Sequence, residues 1–117
     1  MTLVADTDHT LQALADPTRR EILDLLLQHG AMRAGDLADQ FDEISRPAVS
    51  RHLRRLREAD LVNVRRHGRQ RWYSLDPAPL ELLYQDWLSH YEALWDDRLQ
   101  RLKEAAETDK MGAEGDV

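Results

Sequence analysis

Nine arginines lie between Arg46 and Arg71, opposed within that span only by Glu58 and Asp60, which gives it a net charge of +7. The residues before it carry −6 and those after it −7, so a chain of net charge −6 holds one concentrated basic stretch. A guanidinium is a planar fork of donors that grips a phosphate, or the O6/N7 edge of guanine, with two hydrogen bonds at once. Charge runs are usually solvated faces, so spacing has to decide. Pro47, Ser50, Arg51 and Arg54 stand at i, i+3, i+4 and i+7, which gathers them on one side of a helix. Further on, Arg65, Arg66, Arg69 and Arg71 bracket Gly68, two on each side. Two basic protrusions in an otherwise acidic chain suit a polyanion, and double-stranded DNA is the partner expected.

The expected contacts on the helix are Ser45, Arg46, Pro47, Ser50, Arg51, Arg54 and Arg55; those beyond it are Arg65, Arg66, Arg69 and Arg71. The early turns of such a helix point into the major groove, which makes Arg46, Ser50 and Arg51 the candidate base readers. The protrusion around Gly68 suits phosphate contact or insertion into the minor groove. Fourteen of the sixteen basic residues are arginine, so the choice of arginine says little. The clustering is the signal.

Other chemistries find little support. The chain has no cysteine, which removes disulfides, thiolate metal sites, iron–sulfur clusters and cysteine nucleophiles, and suits a reducing cytosol. No nucleophile–base motif, phosphate-cradling glycine loop or paired-carboxylate motif is present, so neither catalysis nor a cofactor is expected. His52 falls on the inward stripe of the arginine-bearing helix and reads as a core residue, His67 as an exposed turn residue, and His9 and His29 as helix-end residues. His90, with Asp86 one turn before it, offers too few ligands for a closed metal site and reads as half of a solvated i, i+4 pair. Met1–Thr10 lacks the pattern of a signal peptide and no apolar run approaches a membrane span, so a cytoplasmic protein without membrane contact is expected.

These side chains need elements to hold them, and 117 residues suit one domain around one core. Leu11 and Leu14 mark a first helix from Asp8 to Ala15. Asp16-Pro17 then signals the start of a second, with Ile22, Leu23, Leu26 and Leu27 inward and Gly30 as its stop. Ala31 to Arg33 reads as an extended connector. A third helix runs from about Ala34 to Phe41, with Leu37, Ala38 and Phe41 inward. Ser45 caps a fourth that runs to about Ala59, with Val49, His52, Leu53 and Leu56 inward. Leu61–His67 and Arg69–Leu75 alternate in polarity and meet at Gly68, the pattern of a β-hairpin. A helix-turn-helix followed at once by a hairpin is a winged helix. One long last helix follows, from Asp76 or Pro77 to about Glu104. The expected fold is mainly helical, with five helices and a two-stranded wing. The domain spans 10–105, between a flexible N-terminus at 1–9 and a disordered tail at 106–117.

The last helix is wider on its apolar side than so small a core can cover. Trp87, Tyr91 and Trp95 recur every four residues, and Leu80, Leu88 and Leu94 broaden the stripe. Left bare, such a patch promotes association. Pairing with a second copy about a two-fold axis is the economical solution, through Leu11, Leu14, Leu80, Tyr84, Trp87, Leu88, Tyr91, Leu94 and Trp95. The alternative use of these aromatics is a pocket for an unidentified organic effector between subunits.

Three segments resemble, in order, the opening signature, recognition helix and wing of the ArsR-type regulators: Leu14–Leu23, Ser45–Leu56 and Leu61–Leu75. The likeness runs from roughly Leu11 to Leu102. It implies a homodimer built from the first and last helices that binds a two-fold operator and usually represses transcription. One departure is Asp60, where the family commonly has a glycine closing the recognition helix; aspartate tolerates the left-handed conformation moderately well. The family's metal sites need cysteines, or carboxylate and histidine ligands at two places on the last helix, and the sequence supplies neither set. The expected function is therefore sequence-specific repression from a palindromic operator. A small-molecule-responsive sensor of the same fold is one alternative. A winged-helix adaptor that binds protein rather than DNA is the other, a class that typically lacks the basic stripe.

Overall fold

The computed structural model describes residues 2–115, with side chains over 7–108. Contacts divide the chain into two compact units, Met1–Leu83 and Tyr84–Val117.

In the first unit, α1 (Thr2–Leu14) is followed by Asp16, whose carboxylate accepts the backbone N–H groups of Thr18 (2.8 Å) and Arg19 (3.2 Å) and caps α2 (Pro17–His29). The next two side chains turn back. Arg19 donates to the carbonyls of Ala13 (2.7 Å) and Gln12 (3.0 Å), and Arg20 to that of Leu14 (2.6 Å). One short stretch thus satisfies the orphan carbonyls ending α1 and the orphan N–H groups opening α2. Burial pushes the Asp16 carboxyl up, but the N–H bonds from Arg19 and Thr18, with His52 and Arg19 nearby, outweigh it and hold its pKa below the ordinary 3.8.

The unit continues through β1 (Met32–Arg33), α3 (Ala34–Asp39), α4 (Arg46–Glu58), β2 (Val62–His67), β3 (Gln70–Leu75) and the start of α5 (Ala78–Asp86). Ile22, Leu37, Val49, Leu53, Leu56 and Leu61 are at most 1% exposed and form its centre. Helical spacing on α2, α3 and α4 puts the first five on facing sides, Leu61 follows the end of α4, and burying each stabilises the unit by about 2 kcal/mol. Leu27, expected inward, is 71% exposed in the last turn of α2. Phe41 lies past the end of α3, half-buried against the core.

The sheet has three strands in the order β1-β3-β2, not the two expected. Met32 and Arg33 pair antiparallel with Tyr73 and Trp72. Two extended residues suffice to occupy the free edge of β3, whose backbone groups would otherwise need water. Arg33 also sets its guanidinium 5.5 Å from the Trp72 ring centroid. Between β2 and β3, Gly68 opens the turn at φ 64, a region where an L side chain would be strained.

The second unit holds the end of α5, a 3-10 turn (Leu88–Tyr91) and α6 (Glu92–Gly115). Six α-helices therefore stand among the described residues where five were expected, because the last long helix is interrupted. Trp87, Ser89, His90 and Tyr91 are all modest helix formers. Ser89 Oγ donates to the carbonyl of Gln85 (3.0 Å), and the Tyr84 hydroxyl and the Glu92 carboxylate lie close across the break. The neighbouring Glu92 carboxylate, more than burial, raises the Tyr84 pKa above its ordinary 10.0. Trp87 and Tyr91 meet edge to face, with centroids 6.0 Å apart at 89°. Among the described residues no helix is long and apolar enough to cross a membrane.

Candidate nucleic-acid interface

The ends of α4 are fixed by local chemistry. At its start the Ser45 hydroxyl accepts the N–H of Ala48 (3.2 Å), and Pro47 sits in the first turn, where a missing N–H costs nothing. At its end, Leu61 N–H donates to the carbonyl of Leu56 (2.9 Å) and Asp60 N–H to that of Arg57 (3.0 Å), the paired bonds of a Schellman motif. Asp60 occupies the left-handed position of that motif at φ 59, and Leu61 and Leu56 are both fully buried beneath it. With Val49, Leu53 and Leu56 anchored in the core, the opposite face is forced outward.

All eleven expected DNA contacts are exposed: Ser45, Arg46, Pro47, Ser50, Arg51, Arg54 and Arg55 on or beside α4, and Arg65, Arg66, Arg69 and Arg71 on the hairpin. The hairpin register separates the last four. Arg66 faces Arg71 directly, and Arg65 faces Trp72, so the arginines project from both sides of the sheet with Arg69 in the turn. Two like charges placed opposite each other destabilise a strand pair unless an anion joins them. The start of α4 and strand β3 come together at an open groove of about 340 Å³ lined by Arg33, Asp36, Asp39, Arg46, Gln70 and Arg71. Here Arg46 donates to Asp39 (3.2 Å), and Arg33 grips Asp36 (2.9 and 3.4 Å), whose bond raises the Arg33 pKa and keeps that guanidinium charged. Among the described residues, none of the other arginines between Arg46 and Arg71 has an ion-pair or side-chain hydrogen-bond partner.

The sequence reading missed Arg33, Asp36 and Asp39. The i, i+3 spacing of Arg33 and Asp36 was a usable signal; the pair from Asp39 to Arg46 crosses a turn and had none. His52, read as a core residue, is half-buried, with Nδ1 3.4 Å from the Arg19 guanidinium. Asp86 and His90 do not form the expected solvated pair, since the 3-10 turn breaks their helical spacing. His90 is exposed, whereas one carboxylate oxygen of Asp86 is enclosed without a partner among the described residues. No group of three or more His, Asp or Glu placed to hold a metal occurs among the described residues.

The candidate pairing residues fall in both units. In the first, Leu11 is exposed, while Leu14 and Leu80 already pack in part against their own core. In the second, Tyr84, Trp87, Tyr91, Leu94 and Trp95 are 40–59% exposed, and Leu88 is half-buried. Leu99 and Leu102 extend this exposed apolar set along α6.

Residues 14–65, from the end of α1 into β2, match the helix-turn-helix domain family HTH_20. The chain is 43% identical over 74 residues to the transcriptional repressor SdpR of Bacillus subtilis, covering 63% of this chain and 80% of that one. Among solved structures it is similar to an ArsR-like transcriptional regulator from Rhodococcus, with TM-score 0.69 and 32% identity, covering 91% of this chain and 97% of that one. The chain belongs to the ArsR family. It is a DNA-binding transcriptional regulator of winged helix-turn-helix fold, with α3 and α4 as the helix-turn-helix and the β2–β3 hairpin following it. It is also similar to the homodimeric winged helix-turn-helix DNA-binding domain of Mb0332 from Mycobacterium bovis, a possible ArsR-family regulator, with TM-score 0.62 and 25% identity, covering 86% of this chain and 87% of that one.

Proposed function

We propose that the chain is a homodimeric repressor that occupies a palindromic operator. The observation that carries this reading is the exposure of Ser50, Arg51 and Arg54 on the free face of α4, beside a wing whose arginines stand unpaired. In the proposed complex the early turns of α4 enter the major groove, Arg46, Ser50 and Arg51 read base edges, and the wing arginines hold phosphates or the minor groove. Two copies pair through the exposed apolar residues of the first and last helices, a reading supported by the likeness to the homodimeric Mycobacterium bovis domain. Their recognition helices then meet half-sites about one helical turn, ~34 Å, apart. This reading assigns the chain binding and no enzymatic step.

A second reading, a sensor that changes its DNA affinity on binding a small molecule, is favoured by a cleft bounded by His9, Gln12, Arg19, Arg55 and Glu58. Its volume of about 230 Å³ falls below the ~300–1,000 Å³ usual for ligand pockets, which favours the first reading.

The test uses a duplex selected by the protein from a randomised pool. Replacing Arg51 and Arg54 together with alanine is expected to weaken binding by roughly 2–4 kcal/mol, as read by fluorescence anisotropy. Unchanged affinity would place DNA binding on another surface, and a wild type that selects no duplex would leave the protein-binding adaptor in its place.

A further inference from the structure

We infer that Asp39 is a positioning residue for base reading: it holds Arg46 in the orientation in which that arginine meets a guanine edge. The inference rests on the DNA-binding mode proposed above. Among the described residues Arg46 alone of the arginines between Arg46 and Arg71 is tied to a carboxylate, and it is the first residue of α4, at the end of the helix that enters the groove. The tie joins the last residue of α3 to the first of α4, so both ends rest on helical backbone held by the core through Leu37, Ala38 and Val49.

The geometry leaves the arginine usable. Arg46 Nη2 donates to a single Asp39 oxygen at 3.2 Å, and the two side chains are 72% and 63% exposed. A single end-on bond leaves the remaining donors of the fork free, and reading guanine O6 and N7 takes only two. On its other side Arg46 Nη1 lies 3.8 Å from where a Gly35 Cβ would stand, so the guanidinium rests along α3 rather than projecting at random. A free arginine must give up its rotamers when it meets a base; one already tied has given up some of them before DNA arrives.

The competing explanation is that Asp39 is merely a negative charge near DNA, and the two make different predictions. A bare charge beside the binding face lowers affinity for every duplex alike. A tether raises the preference for the correct site, and only through Arg46.

The experiment measures affinity for the duplex selected from a randomised pool and for a scrambled duplex of the same composition. The proteins compared are the wild type, Asp39→Ala, Asp39→Asn, Arg46→Ala and the double variant Asp39→Ala/Arg46→Ala, each checked for intact fold by circular dichroism. Asp39→Ala is expected to bind the scrambled duplex more tightly while its selected-to-scrambled ratio falls about tenfold, the scale of one lost base contact. Asp39→Asn keeps an oxygen acceptor at that position and recovers part of the ratio. In the Arg46→Ala background, removing Asp39 leaves the ratio unchanged. The inference is overturned if Asp39→Ala shifts both affinities by the same factor, or if it lowers the ratio as much without Arg46 as with it. A wild type that selects no duplex at all overturns the DNA-binding mode beneath it instead.

Discussion

Asp60 holds the left-handed position that closes α4, at φ 59. A side chain in that region costs about 1 kcal/mol relative to glycine. Asp60→Gly is therefore expected to raise stability by about 1 kcal/mol, seen as a higher denaturant midpoint with unchanged slope. A second residue acts in the opposite direction. Asp16 caps α2 with two backbone bonds, so Asp16→Ala is expected to lower stability by about 1 kcal/mol. Because the folded pKa of Asp16 lies below 3.8, the wild type's advantage is complete at neutral pH and is lost as pH falls through the region beneath that value. Denaturation curves of both proteins at neutral pH and well below 3.8 check this; a gap that persists in acid would contradict it. Asp16-Pro17 was legible in the sequence because a cap and its helix are neighbours in the chain. The grip of Asp39 on Arg46 was not, since they stand seven positions apart across an irregular turn and only their final geometry makes them a pair.

At the scale of elements, the wing holds Arg66 opposite Arg71, a placement that weakens the hairpin and that a bound anion would relieve. Arg71→Glu turns that like pair into an opposite one. The change is expected to stabilise the protein by up to about 1 kcal/mol while it weakens DNA binding. Thermal melts and anisotropy titrations on the same preparation check the trade, and a variant that gains stability without losing affinity would remove the wing from the interface. The two faces of α4 were readable from spacing, because Val49, Leu53 and Leu56 recur on one side while Ser50, Arg51 and Arg54 recur on the other. The third strand was not readable. Two residues, Met32 and Arg33, are too few to show alternation, and their pairing is decided by the open edge of β3. The interruption before α6 was hidden for a different reason. Trp87, Tyr91 and Trp95 keep helical spacing through it, while the bond from Ser89 to Gln85 marks the break.

At the scale of the whole molecule two features count, the separation of charge along the chain and the exposed apolar residues of its second unit. Trp95 is 46% exposed on α6. In the proposed dimer its replacement by glutamate is expected to shift the protein from dimer to monomer in sedimentation velocity and to weaken operator binding, because a monomer meets one half-site alone. A dimer unchanged by that substitution would place the pairing surface elsewhere. The charge separation bears on the central claim, that the basic stretch from Arg46 to Arg71 neutralises phosphates although the chain as a whole carries −6. Each phosphate neutralised on duplex DNA steepens the plot of log affinity against log salt by about 0.9. The most direct measurement is that plot for the wild-type protein on its selected duplex. Several unpaired arginines from each of two subunits predict a slope more negative than about −4. An affinity that does not change with salt would contradict the account.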